Sequence, residues 1–203
     1  SYGAEMCFHL SRCQNSNIID AIAPLAGSIF DYMSICTLST NISTLVLHGT
    51  NDNVVNYNGG YFPNYGPYMS ANDIVSELVV YNSCVLDTSY SLLDLNNDNN
   101  LTDVTKYQNF NSGTKVWFYS VNNGTHTWFD QAPFGVDDFW ASEEIWSFFS
   151  QLGISTTNLN NENYKANNRS LIKIVDVFGR EIEEKLNISL FYIYDDGTVE
   201  KKI

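Results

Sequence analysis

The sequence predicts an α/β fold: a mainly parallel sheet with helices on both faces, followed by a small β unit at the C-terminus. Three observations carry this. Short apolar runs of strand length alternate with segments of helical periodicity, joined by turn-rich stretches. The charge balance changes sharply: residues 1–152 carry three basic and fifteen acidic side chains, residues 153–203 seven and eight. Between the two parts, residues 153–168 (GISTTNLNNENYKANN) are asparagine-rich and poor in large apolar side chains, and read as a linker.

In chain order, residues 4–10 read as a helix leaving Gly3, and residues 18–26 contain a buried strand closed by Gly27. Residues 43–47 (STLVL) are a short apolar strand running directly into the turn-rich His48-Gly49-Thr50-Asn51-Asp52. Residues 70–81 are a helix, because Ser70 and Asp73 form a capping-box-like start and Ile74, Val75, Leu78 and Tyr81 share a face. Residues 115–121 (KVWFYSV) are a second buried strand, followed by a loop over residues 122–134. Residues 139–150 are a helix with Phe139, Trp146 and Phe149 on one stripe, beside Ile145. In the tail, residues 171–177 are strand-like. Residues 190–194 and 199–203 flank Asp195-Asp196-Gly197-Thr198, a hairpin signal in which the Asp-Gly pair supplies the turn.

Composition narrows the function. With 203 residues, 44% of them hydrophobic, the chain is long and apolar enough for a packed core. No apolar stretch approaches the ~20 residues of a bilayer-spanning helix. A net charge of −13 would repel phosphate backbones and anionic lipid heads, which argues against nucleic-acid and membrane-surface roles. Cys7, Cys13, Cys36 and Cys84 form no C-x-x-C pair, so no structural zinc or thioredoxin-type site is expected; an even count is compatible with one or two disulfides or with buried thiols. Asp94-Leu95-Asn96-Asn97-Asp98 is spaced like the start of a calcium loop but lacks the glycine and closing Glu, and reads as a solvated loop. No metal or cofactor is expected. The chain starts at Ser1 without a methionine or signal peptide, as expected of a processed chain or a fragment of a longer one.

Three histidines, His9, His48 and His126, bound the choice of general base. Ser1-Tyr2-Gly3 matches the second half of G-x-S-x-G, the strand-to-helix elbow that exposes a nucleophilic serine. The small Gly3 is expected where a Cβ would crowd the adjacent strand, and the Tyr2 N–H is a candidate oxyanion donor at the helix start. Asp52 follows a buried strand into a loop at its carboxyl end, where open α/β sheets place their sites. His126 lies in the loop after the second buried strand. Ser1, Asp52, His126 is therefore the chain order of a hydrolase triad. His9 sits roughly 12 Å along the helix from Ser1 and fails as the base. His48, four residues from Asp52, is expected to order the turn.

Residues 48–57 (HGTNDNVVNY), 122–128 (NNGTHTW) and 137–149 (DDFWASEEIWSFF) resemble the acid loop, histidine loop and last helix of secreted polyhydroxybutyrate depolymerase-like α/β-hydrolases, with their feruloyl and acetylxylan esterase relatives. Residues 21–27 (AIAPLAG) resemble the strand after their nucleophile, so the likeness covers residues 1–152. It implies the C-terminal part of an esterase domain, with Ser1 as nucleophile, Asp52 as orienting acid, His126 as base and Trp128 as a substrate-contacting or loop-packing aromatic. The family's Gly-Gly-His-Thr-Trp-Pro-Gly stands here as Gly124-Thr125-His126-Thr127-Trp128-Phe129-Asp130, and the G-x before the serine is absent. Residues 173–185 and 190–203 resemble the C-terminal sorting domain of the type IX secretion system, which makes residues 169–203 an export address read by that machinery. A secreted or cell-surface location follows, in which disulfides are admissible.

The expected activity is hydrolysis of a polyester or plant-polysaccharide ester through an acyl-enzyme. Three other readings stand beside it. One is an N-terminal-nucleophile hydrolase using the Ser1 amine as base. Another is a non-catalytic polymer- or carbohydrate-binding protein with Trp128 and Tyr57 as stacking platforms. The third is an inactive piece of the esterase.

Overall fold

The computed structural model describes residues 1–13, 19–36, 41–98, 100–131, 137–152, 170–176, 179–183, 190–195 and 199–202. The chain divides into two units, Ser1–Ile154 and Ser155–Ile203. The first runs α1 (Tyr2–Cys13), β1 (Ala21–Ile22), a 3₁₀ turn (Asp31–Met33), β2 (Ser43–Gly49), β3 (Gly60–Phe62), β4 (Gly66–Tyr68), α2 (Ala71–Tyr81), β5 (Val85–Ser91), β6 (Thr102–Gln108), β7 (Lys115–Val121) and α3 (Ala141–Gln151). The second holds β8 (Leu171–Val175), β9 (Leu190–Tyr194) and β10 (Val199–Lys202).

The five-stranded sheet has the order β1-β2-β7-β6-β5. Its centre is β2 and β7, the two runs whose apolar residues can be buried on both faces. Alternate side chains divide them: Val46, Val116 and Phe118 face a core with Phe8 of α1 and Ile74 and Leu78 of α2. Leu45, Leu47, Trp117 and Tyr119 face a second core with Ala141 and Phe148 of α3. Burying each such large side chain contributes about 1.5–3 kcal/mol. Helices thus pack on both faces, and this part of the chain is an α/β unit.

The expected mainly parallel sheet is corrected to a mixed one. β1, β2 and β7 are parallel, whereas β7–β6 and β6–β5 are antiparallel. Only ten residues separate Ser91 from Thr102, and six separate Gln108 from Lys115, too few for the crossover that parallel neighbours need. β5 was missed because VLDTSYS is polar and exposed along its whole length as an edge strand. The expected strand over residues 18–26 shrinks to Ala21–Ile22 plus a Leu25–Leu47 bridge, with Ile18 outside the described residues.

α2 begins as its sequence requires: the Ser70 side chain accepts from the Asp73 N–H at 3.0 Å, and the Ser70 hydroxyl donates to the Asp73 carboxylate at 2.6 Å. α3 differs from expectation in its buried stripe. Trp146 is 74% exposed, while Ala141 and Phe148 are buried and Ile145 and Leu152 pack beside them. The inward face is the i, i+4, i+7, i+11 line from Ala141, and Phe148 fills it by stacking obliquely on Trp117 at 5.2 Å.

A disulfide joins Cys13 at the end of α1 to Cys36 beyond the 3₁₀ turn, leaving Cys7 and Cys84 as free thiols. Closing a loop of this length removes about 3 kcal/mol of chain entropy from the unfolded state. Cys36→Ser is therefore expected to lower the unfolding free energy by about 2–4 kcal/mol in urea denaturation. A midpoint equal to that of the parent would show that α1 is held by packing alone.

The second unit is a three-stranded antiparallel sheet, order β10-β9-β8, with Leu190 and Tyr192 buried. Lys202 lies over the Tyr192 ring at 4.3 Å. The Asp-Gly turn at residues 196–198 and the linker at residues 153–168 lie outside the described residues.

Candidate functional site

The site is built where β2 and β7 run out side by side. Beyond β2, the Thr50 N–H donates to Val121 O and the Asn51 N–H to Gly124 O, both at 2.9 Å. The Asn123 N–H returns a bond to Thr50 Oγ1 at 2.9 Å. Gly49 permits this closeness, and Gly124 permits the tight turn that follows β7. A Cβ on Gly49 would lie 2.2 Å from Gly124 O and 2.4 Å from its carbonyl carbon, and a Cβ on Gly124 would lie 2.8 Å from Val121 Cγ1. Backbone meets backbone here, so the two loops travel as one piece.

That contact brings together two residues 74 apart in sequence. Asp52 Oδ1 accepts from the N–H groups of Val54 and Val55, each at 2.8 Å, which folds the acid loop around the carboxylate. Asp52 Oδ2 faces His126 Nδ1 at 2.8 Å. The Asp52 side chain is fully buried, whereas the His126 ring is 21% exposed. A carboxylate oxygen can only accept, so Nδ1 carries the proton and Nε2 is left as a base.

His48, the penultimate residue of β2, is buried beneath this pair. Its Nε2 lies 2.8 Å from Val55 O and 3.4 Å from Asp52 Oδ2, and its ring meets Tyr57 edge-on at 5.8 Å. Both oxygens are acceptors, so Nε2 is the protonated nitrogen. His48 Nδ1 is then a bare acceptor, buried without a partner among the described residues, which costs about 1–3 kcal/mol. Burial pushes the His48 pKa down, against the opposing pull of the Val55 carbonyl and Asp52. The unfolded chain therefore binds a proton that the folded chain refuses. This contribution to stability is complete above about pH 6.5 and is lost as pH falls, by at most about 1.4 kcal/mol per pH unit. Urea denaturation should show that slope between about pH 7.5 and pH 5, and His48→Gln should flatten it.

Ser1 enters from the opposite side. It caps α1: its carbonyl accepts from the Glu5 N–H at 3.0 Å, so the amides of Tyr2, Gly3 and Ala4 have no acceptor within the helix. Its nitrogen donates to Leu25 O at 3.3 Å. A cleft of about 510 Å³ has Ser1, His126 and Trp128 on its wall, together with Ala4, Cys7 and Leu25. Among the described residues, no hydrogen bond joins the Ser1 hydroxyl to the His126 ring. Serine and imidazole thus share a cleft, while acid and imidazole are bonded.

Gly3 does not have the expected role. A Cβ there meets nothing within 4 Å, so Gly3 relieves no crowding. The glycine that makes room is Gly27, whose Cβ would sit 2.4 Å from Ala4 Cβ and 3.2 Å from Ser1 O. Ala26 beside it adopts φ 50°, left-handed backbone that an alanine seldom takes.

Trp128 is 52% exposed, lines the cleft and donates Nε1–H to Ser142 Oγ at 3.3 Å; the aromatic that packs the core from this loop is Phe129. Tyr57 is not on the cleft wall: it packs on Phe118, and its hydroxyl reaches Ser120 and Asn72. His9 does not line the cleft either. Sequence reasoning missed the roles of Gly49, Gly124, Thr50 and Gly27. The local signals were a glycine in each of the acid and base loops and one closing the strand before them, and which atoms each one meets is a long-range fact. No group of three or more His, Cys, Asp or Glu among the described residues is placed to hold a metal ion. The Asp94–Asp98 turn is instead closed by its own side chains, with the Asp98 N–H donating to Asp94 and Asn96.

No family model matches this chain, and no curated protein matches it.

Proposed function

We propose that the chain is the C-terminal portion of a secreted α/β-hydrolase, a serine esterase with Ser1, Asp52 and His126 as its triad. The observation that carries this is the buried Asp52–His126 bond of 2.8 Å, which leaves His126 as a base in the cleft that Ser1 lines. In this reading His126 Nε2 takes the Ser1 hydroxyl proton as the oxygen attacks an ester carbonyl. Asp52 holds the imidazole tautomer and stabilises the imidazolium. The Tyr2 N–H, first in α1 and without a helical acceptor, is the proposed oxyanion donor. His126 then returns its proton to the leaving alcohol, and water cleaves the acyl-enzyme by the same route. Among the described residues the cleft wall carries alanines, Leu25 and Trp128 and no Asp, Glu, Lys or Arg side chain, which suits an acyl group without charge.

Ser1 and His126 line one cleft without being hydrogen-bonded, and catalytic hydrogen bonds of this kind often tighten only in the Michaelis complex. By its resemblance, residues 169–203 serve as the type IX export address, and the Cys13–Cys36 bond suits an oxidising compartment.

A fluorophosphonate probe tests the reading directly. Ser1 should carry the phosphonyl adduct by mass spectrometry in the parent and lose it in Ser1→Ala. A parent that stays unmodified sinks the assignment and leaves the binding-protein and inactive-fragment readings, and an adduct that survives in Ser1→Ala sinks it by placing the nucleophile elsewhere.

A further inference from the structure

We propose that His48 is a positioning residue for the Asp52–His126 pair: its Nε2–H pins the 52–55 turn so that Asp52 Oδ2 stays aimed at His126 Nδ1. The kinetic part rests on the esterase reading above, and the hydrogen-bond part does not.

The argument starts from what His48 replaces. A phenylalanine would fill the same buried space without leaving a buried ring nitrogen that has no hydrogen-bond partner among the described residues. What only the imidazole supplies is a donor at the Nε2 position, shared between Val55 O at 2.8 Å and Asp52 Oδ2 at 3.4 Å. Those two acceptors are the ends of one device. Val55 gives its N–H to Asp52 Oδ1 and receives the His48 N–H on its carbonyl, so the residue that holds one carboxylate oxygen is itself held, through its other peptide group, by His48. The other oxygen faces both imidazoles at once. Removing the His48 proton frees the carboxylate to rotate away from His126.

Two features keep His48 in this role. Its place in β2 fixes the backbone through six register pairs with β7, and Tyr57 closes the ring's edge. The charged and titratable groups that act on it are Asp52, which favours the imidazolium, and His126 and the Ser1 ammonium, which oppose it. Burial adds to the opposition, so a single neutral tautomer stands beside the carboxylate.

Three substitutions separate the donor from the packing. Gln places an amide nitrogen near the Nε2 position, Asn reaches only as far as Nδ1, and Phe keeps the shape without a donor. Each is made in the full 203-residue chain and read in two ways. The first is the downfield proton resonance of the His126 Nδ1–H bonded to Asp52. The second is turnover of p-nitrophenyl acetate, resolved into kcat and KM. His48→Phe and His48→Asn should lose the resonance and lower kcat roughly 10–100-fold with KM unchanged, while His48→Gln keeps both near the parent. If His48→Phe fails to fold, the Gln and Asn pair decides alone. Persistence of the resonance in the Asn or Phe variant, its absence from the parent, or a Gln variant no better than Asn would overturn the proposal. If the parent neither turns over ester nor takes the fluorophosphonate, the esterase reading fails, and the resonance still decides whether His48 positions the pair.

Discussion

Asp52→Asn is expected to lower kcat by about 10⁴-fold while leaving the fold in place. The direction follows from which oxygen does what. Oδ1 accepts two backbone N–H groups, from Val54 and Val55, and only a carbonyl oxygen can replace it there. The asparagine amide must therefore turn its NH₂ toward His126 Nδ1, at the position where Oδ2 sits 2.8 Å away. An NH₂ group donates, so Nδ1 has to become the acceptor and the ring proton moves to Nε2. Nε2 is the atom that must take the serine proton, and it is now already protonated. The loop stays folded because its two backbone bonds survive. The stability cost is about 1–3 kcal/mol, from the His48 Nε2–H that now faces a second donor at 3.4 Å. Ester turnover and thermal melting of the same preparation check both halves. A variant that melts like the parent and retains a tenth of its kcat would show that Asp52 builds the turn without setting the tautomer.

How much of this was legible in the sequence depends on whether the deciding contact is local. β2 and β7 are readable because STLVLHG and KVWFYSV are apolar enough to be buried on both faces. α2 is readable because Ser70 and Asp73 satisfy each other within one turn. The Asp52–His126 pairing was inferred from two loops following two buried strands, a step that holds because β2 and β7 are parallel neighbours and end at the same edge. Where the deciding contact is distant, local reading fails. Phe139, Trp146 and Phe149 read as one buried stripe, yet of these only Phe139 is buried, and the inward line of α3 runs through Phe148, set by Trp117 across the interface. β5 has no hydrophobic alternation, because one side chain after another faces solvent, and its strand character comes from pairing with β6. The glycine reading was displaced in the same way. Gly3 has free space around it, and the crowding falls on Gly27, 24 residues on, where the chain after β1 meets the first turn of α1.

The second large effect falls on Gly49. Gly49→Ala is expected to destabilise the chain by about 3 kcal/mol and to cost about 10²-fold in kcat. The added Cβ would lie 2.2 Å from Gly124 O, 2.4 Å from Gly124 C and 3.0 Å from Gly124 Cα, all of them backbone atoms. No rotamer change relieves such a clash, so the β7 loop has to move away from the β2 loop. The Thr50–Val121, Asn51–Gly124 and Asn123–Thr50 bonds lie in the line of that movement, and His126 is two residues beyond Gly124. A displacement of an ångström at the glycine therefore becomes a lengthened bond between His126 Nδ1 and Asp52 Oδ2. Gly27→Ala provides the contrast. Its nearest neighbour is the Ala4 side chain, so Ala4→Gly should restore much of what Gly27→Ala loses, whereas shortening a side chain near Gly49 should restore nothing. Melting temperature and kcat measured on Gly49→Ala, Gly27→Ala and Gly27→Ala/Ala4→Gly distinguish the two kinds of contact. A Gly49→Ala variant with the parent's stability and turnover would mean that the loops carrying the acid and the base do not lie backbone against backbone.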